Sequence, residues 1–148
     1  MDVVIATDGS AASGVAARVG SRLAPSDATF HLVTVVSPRV DPMETTTGFA
    51  GATISDEEAD QRFAAGVVDG DAILAETARG LGPRPFHQRV LAGERPADEI
   101  CRFATALGAD LVVVGSSGHG LTEFLLGSVS SRVVEQSTSS VLVVPGVD

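Results

Sequence analysis

Hydrophobic positions along the chain fall into short unbroken blocks, set between longer stretches in which they recur every three or four residues. The blocks Val3-Val4-Ile5-Ala6-Thr7, Leu32-Val33-Thr34-Val35-Val36, Leu111-Val112-Val113-Val114 and Val141-Leu142-Val143-Val144 carry no polar alternation. Each therefore predicts a strand covered on both faces. The second extends back to Thr29 and ends at Pro38. A further strand over Phe86 to Leu91, entered through Pro83 and Pro85, is more polar and suits a sheet edge.

Between these blocks the spacing turns helical. Ala12, Val15, Ala16, Val19 and Leu23 form one stripe, with Ser10 or Ser13 as cap and Pro25 at the exit. Ser55 and Glu58 have the spacing of a capping box, and Ala59, Phe63, Val67, Leu74, Ala78 and Leu81 follow at helical intervals, which predicts a helix over about 56–80. Within it Gly66 and Gly70 cost about 1 kcal/mol each relative to Ala and mark close packing or a kink. Pro96 opens the next helix, Gly108 closes it, and Ser128 can cap a last one through Val129, Val133 and Gln136. Ser37 to about Ile54, rich in Pro, Thr and Gly, is left as a loop longer than compact domains normally contain.

Five strands alternating with four helices define an α/β fold: a single domain over residues 1–148, an open parallel five-stranded sheet with helices on both faces. In such sheets ligands bind outside the carboxyl ends of the strands. Asp8, Val35 to Ser37 and Gly115 to Gly118 fall at those ends.

Composition narrows what could bind there. The net charge is -9, from ten basic and nineteen acidic side chains, which opposes contact with a nucleic-acid backbone. All ten basic residues are Arg, so a phosphate site here works without the Lys of a Walker loop. The amino terminus has no signal-peptide pattern and no apolar run approaches a membrane span, which predicts a cytoplasmic chain with no membrane insertion. The single cysteine, Cys101, sits in an apolar helical stripe and reads as core filler.

The sharpest chemical signal is Gly115-Ser116-Ser117-Gly118-His119-Gly120, directly after the fourth strand. Glycines let backbone amides approach an anion, and Gly127-Ser128 opens a helix whose unpaired N–H groups can grip phosphate. Two amide clusters in one crossover would hold a di- or triphosphate. Gly118 or Gly120 taken alone reads first as a residue that turns the chain. His119 contacts phosphate or faces solvent, with no partner that makes it a catalytic base. The serines do not form the Gly-x-Ser-x-Gly elbow of a hydrolase, and no His, Cys or carboxylate cluster points to a structural metal.

These features together resemble the universal stress protein family. The resemblance rests on Val3 to Ser10, on Val90-Leu91-Ala92-Gly93-Glu94-Arg95-Pro96, on Gly115-Ser116-Ser117-Gly118 leading to Leu125-Leu126-Gly127-Ser128-Val129-Ser130, and on the closing Ser140 to Pro145. It implies sheet order 3-2-1-4-5, an adenine-nucleotide site and a homodimer joined through the last strand, Val141 to Val144. ATP-binding members of the family carry glycine, two residues, glycine, nine residues, then glycine and Ser or Thr. Gly115, Gly118 and Gly127-Ser128 match, with a spacer one residue shorter.

The cofactor-binding set expected from the resemblance comprises the strand-end residues Ala6, Thr7, Asp8, Val35 and Val114. To these it adds Gly115, Gly118 and His119 of the loop, and Gly127, Ser128, Val129 and Ser130 at the helix start. Asp8 lies near the ribose or ligates a phosphate-borne Mg²⁺, although the same carboxylate could cap the first helix; Val35 offers its backbone to the adenine edge. The expected ligand is ATP with Mg²⁺, AMP and ADP being the alternatives, and the expected role is a stress-response regulator with an unidentified protein partner rather than an efficient enzyme. A nucleotide-independent dimeric interaction protein of the same fold and a slow ATPase or phosphotransferase are the competing readings.

Overall fold

The computed structural model describes residues 1–38, 55–116 and 126–146. The expected loop beyond Pro38, together with Gly118 and His119, lies outside the described residues. The elements run β1 (Asp2–Ala6), α1 (Ala11–Leu23), β2 (Thr29–Val36), α2 (Asp56–Gly80), β3 (His87–Ala92), α3 (Pro96–Leu107), β4 (Leu111–Gly115), α4 (Ser128–Gln136) and β5 (Ser140–Val144). Every strand pair is parallel and the order is β3-β2-β1-β4-β5. The fold class and the strand order are those expected.

Alternate residues of the central strands feed two separate cores, as the pleat requires. Val3, Ile5, Leu32 and Val113 pack with Ala16 and Ala17 of α1 and Leu74 of α2. Val4, Val33, Val112 and Val114 pack with Ala97, Ile100, Cys101 and Ala104 of α3 and Val133 of α4. That double burial is why β1 and β4 read as unbroken apolar blocks: Val3, Val4, Ile5, Val112 and Val113 are all fully buried. The β3 strand is an edge, as its polarity predicts, and begins one residue later than expected, at His87.

The capping signals act as their chemistry requires. Ser10 accepts from the Ser13 amide at the head of α1, and Ser55 with Glu58 closes a complete capping box on α2. Pro96 occupies the first turn of α3, while Gly108 ends it at φ 71°, a left-handed conformation that glycine adopts without strain. α2 runs unbroken past both of its interior glycines. Only Gly70 marks close packing, since a Cβ there would stand 3.0 Å from Val90 Cγ2 and 3.2 Å from Thr34 Cγ2; beside Gly66 the nearest atom is Val36 Cβ at 3.9 Å.

Cys101 is buried with its sulfur directed toward the Val133 carbonyl. Burial, with a smaller contribution from the Asp98 carboxylate, pushes its thiol above the ordinary value, in keeping with filler. Among the described residues no helix is long and apolar enough to cross a membrane.

Candidate functional site

Strand order reverses between β1 and β4, because the chain builds outward through β2 and β3 and then returns to the other side of β1. A cavity of about 530 Å³ opens at the carboxyl ends of the strands at this point. Ala6, Thr7 and Asp8 line it from β1, Val35 from β2, and Val114 and Gly115 from β4. Gly127, Ser128, Val129 and Ser130 line it from the head of α4. All the described members of the expected set therefore share one cavity.

Its chemistry is divided. Val33, Val35, Val114, Ile100, Pro96 and Val129 give an apolar wall, while Asp8, Ser10, Ser13, Ser116 and Ser128 bring hydroxyls and one carboxylate. Ser10, Ser13, Ser116, Pro96 and Ile100 were not in the expected set. Ser116 belonged to the recognised glycine loop, and α3 starts at the same sheet edge as α4, so both were readable signals once the crossovers were drawn.

The turn after β1 is held by hydroxyls. Thr7 Oγ1 lies 3.1 Å from Ser13 Oγ and 3.3 Å from Thr77 Oγ1 of α2, and it accepts the Gly9 amide at 3.2 Å. Gly9 has φ 79°, and a Cβ there would meet Ile73 Cγ1 at 3.2 Å, so the turn needs glycine for its conformation and for the approach of α2. Asp8 does not cap α1. Its Oδ1 accepts the Ser10 amide at 2.9 Å, and Ser10 then caps the helix, which leaves the exposed Asp8 carboxylate at the cavity mouth.

Partial burial of that carboxyl works to raise its pKa. Hydrogen bonds from the Ser10 hydroxyl and amide and from the Ser13 hydroxyl outweigh it and hold the group below its ordinary value of 3.8. A depressed carboxyl contributes stability that is present above the ordinary value and lost as pH falls through the lowered one. Asp8 is thus an anion throughout the neutral range. No cluster of three or more His, Cys, Asp or Glu suited to a metal occurs among the described residues.

The amide arrangement differs from the one expected. The Ser116 amide donates to the Val144 carbonyl at 2.8 Å, and the Gly127 amide donates to the Ser116 carbonyl. Both donors are therefore spent, the Ser116 amide on extending the β4–β5 ladder and the Gly127 amide on closing the β4–α4 crossover. That same Ser116 carbonyl accepts from Ser130 Oγ at 2.9 Å, and Ser116 Oγ accepts the Gly146 amide at 3.3 Å. Gly127, not Ser128, is the N-cap of α4. What remains open is the first turn: the amides of Ser128, Val129 and Ser130 have no acceptor among the described residues.

This helix start stands apart from the others. α2 and α3 carry acids in their first turns, and Ser10 caps α1, whereas α4 has neither an acid nor a side-chain cap. Three amides and the positive end of the peptide dipoles thus border the cavity with no compensating group among the described residues.

Geometry and topology define an open, parallel α/β domain with an amphipathic cavity at its topological switch point. The chain belongs to the universal stress protein family, whose family model matches residues 1–145. Among curated relatives, a universal stress protein of Methanocaldococcus jannaschii is 47% identical over 60 residues, which span 40% of this chain and 35% of the relative's own length. A solved structure of a hypothetical protein from the same organism superposes with TM-score 0.78 at 21% identity, covering 99% of this chain and 96% of that one. A universal stress protein in complex with cAMP gives TM-score 0.68 at 27% identity over 99% of this chain and 98% of its own.

Proposed function

We propose that this chain binds an adenine nucleotide in the carboxyl-end cavity and acts as a nucleotide-dependent regulatory protein in a stress response. The observation that carries the reading is the pairing of an apolar wall, suited to a purine, with three helix amides that have no acceptor among the described residues, suited to a phosphate, in one cavity of about 530 Å³. The structure of a universal stress protein with cAMP supports an adenine ligand. ATP is the preferred form in this reading, its Mg²⁺ shared between phosphate oxygens and Asp8; AMP and ADP would use the same amides. Gly118 and His119 complete the phosphate loop in the same proposal. In this reading the function is binding rather than turnover.

Acid extraction of protein purified without added nucleotide, followed by chromatography and calorimetry, tests the reading. Recovered adenine nucleotide, or saturable uptake of ATP, AMP or cAMP, is expected. Reproducibly empty protein that takes up none of them overturns it.

The proposed assembly is a homodimer through β5, an edge strand that among the described strands pairs with β4 alone. Ser140 donates to Asp110 and Val144 accepts from Ser116, so even-numbered residues of β5 turn toward β4 and the backbone of Val141 and Val143 turns outward. Proline at position 143 removes one outward donor without touching the β4 ladder. The variant Val143→Pro is expected to elute as a folded monomer in light-scattering chromatography; a dimer unchanged in mass would place the interface elsewhere.

A further inference from the structure

The cavity has an anionic side chain at its mouth and no cationic one among its described lining residues. Three amides carry only partial charge, so a ligand with two or more phosphates leaves negative charge uncompensated unless a cation reaches it from the rim. Residues 115–130 contain no Lys or Arg, so the glycine loop holds no permanent cation. A rim cation does stand at the head of α3. Arg95 precedes Pro96, which lines the cavity, and its side chain is 66% exposed.

An ion pair and a hydrogen bond link that guanidinium through Asp98 to α4, the helix that carries the open amides. Arg95 Nη1 lies 3.8 Å from Asp98 Oδ2, and Asp98 Oδ1 accepts from Arg132 Nε at 3.1 Å. Arg132 is one helical turn beyond Ser128, so their side chains share one face of α4. The Asp98 carboxylate does not depend on Arg95: Arg132 holds it, and the Gln136 amide reaches it at 2.9 Å once its oxygen and nitrogen are exchanged. The neighbouring Glu99 is engaged by Arg102 at 2.9 Å. An exposed pair at 3.8 Å contributes little, so Arg95 can leave Asp98 at small cost, with Asp98 still neutralised.

We propose that Arg95 is the specificity-determining cation of this site: it swings from Asp98 onto the ligand's phosphate and sets the preference for a phosphorylated ligand over the bare nucleoside. The proposal rests on the nucleotide reading above. Arg95 gives no side-chain cap to α3, and Pro96 at its first position remains, so replacing the side chain leaves the helix start intact.

The test measures dissociation constants of the full-length chain for adenosine, AMP and ATP with Mg²⁺ by calorimetry. The variants are Arg95→Gln, Arg95→Lys and, as a control for net charge, Arg102→Gln. Loss of one charge-assisted contact is expected to weaken AMP and ATP about tenfold in Arg95→Gln. Adenosine affinity should stay unchanged, Arg95→Lys should recover part of the loss, and Arg102→Gln should match the parent chain. Equal nucleotide affinities in the parent and Arg95→Gln overturn the proposal, and so does a parallel loss for adenosine, which would mean packing rather than charge. A parent chain that binds neither adenosine nor any nucleotide removes the nucleotide reading itself, an outcome distinct from the other two.

Discussion

Gly20→Val should lower the unfolding free energy by about 3 kcal/mol or more, from overpacking in a filled core with the strain of a β-branched helix residue added. A Cβ on Gly20 would stand 2.8 Å from both γ-carbons of Val113, a fully buried side chain at the centre of β4. α1 therefore lies against the sheet with no room for a methyl group. Neither neighbour can yield easily, because Val113 is paired in register with Ile5 on one side and Leu142 on the other. A loss of that size is a large fraction of the roughly 5–15 kcal/mol by which domains of this kind are stable.

Urea denaturation read by circular dichroism measures the effect, with Gly14→Ala as the control in the same helix. Beside Gly14 only Arg18 Nη1 approaches, at 3.7 Å, and Ala there should stabilise the protein by about 0.5–1 kcal/mol through helix propensity. If both variants shift the midpoint in the same direction, the close approach of α1 to β4 is not what fixes Gly20.

How much of this could be read from the chain follows from which interactions are local. Strands covered on both faces announce themselves, since burial of Val3, Val4 and Ile5 on alternating sides leaves no polar position to obscure the block. Helix ends are equally legible when the partner is three residues away, as for Ser55 and Glu58, or when the backbone itself demands a residue type, as at Gly108. Gly20 escaped notice because its constraint comes from Val113, 93 positions along the chain. The faint local sign was its place four residues beyond Ala16, in a stripe of small side chains that only a closely docked helix needs.

The cavity was legible in its location and less so in its wiring. Topology brings Ala6 to Asp8 together with Val114 and Gly115 whatever their side chains, so the strand-end residues could be placed in advance. Which amides stay open could not, because that depends on tertiary acceptors: the carbonyl of Ser116 takes the Gly127 amide across the crossover, and Val144 takes that of Ser116. Glycines in a phosphate-like loop thus mark a place where backbone can approach, not which N–H groups are unspent. The hydroxyl set beneath Asp8 was hidden for the same reason, since Thr77 reaches Thr7 from a helix 70 residues away.

The open amides lead to the second large effect. Ser128→Pro should weaken nucleotide binding about 10- to 100-fold, equivalent to about 1.5–3 kcal/mol for a hydrogen bond to a charged group, while the fold survives. Ser128 is the first residue of α4, the position where proline's fixed φ suits a helix and its missing N–H costs no intrahelical bond. Proline also restricts the residue before it to extended backbone, and Gly127 already has φ -62° and ψ 163°. The substitution therefore deletes one donor to the cavity and the Ser128 hydroxyl, and leaves the Gly127–Ser116 closure in place. Ser128→Ala separates the two losses: it retains the amide, and most of the affinity should return. Calorimetry with ATP and AMP reads both variants beside the parent chain. Parent-like affinity in a folded Ser128→Pro protein would mean that the phosphate does not sit at the head of α4, and the cavity's polar end would then have to be sought at the Asp8 turn.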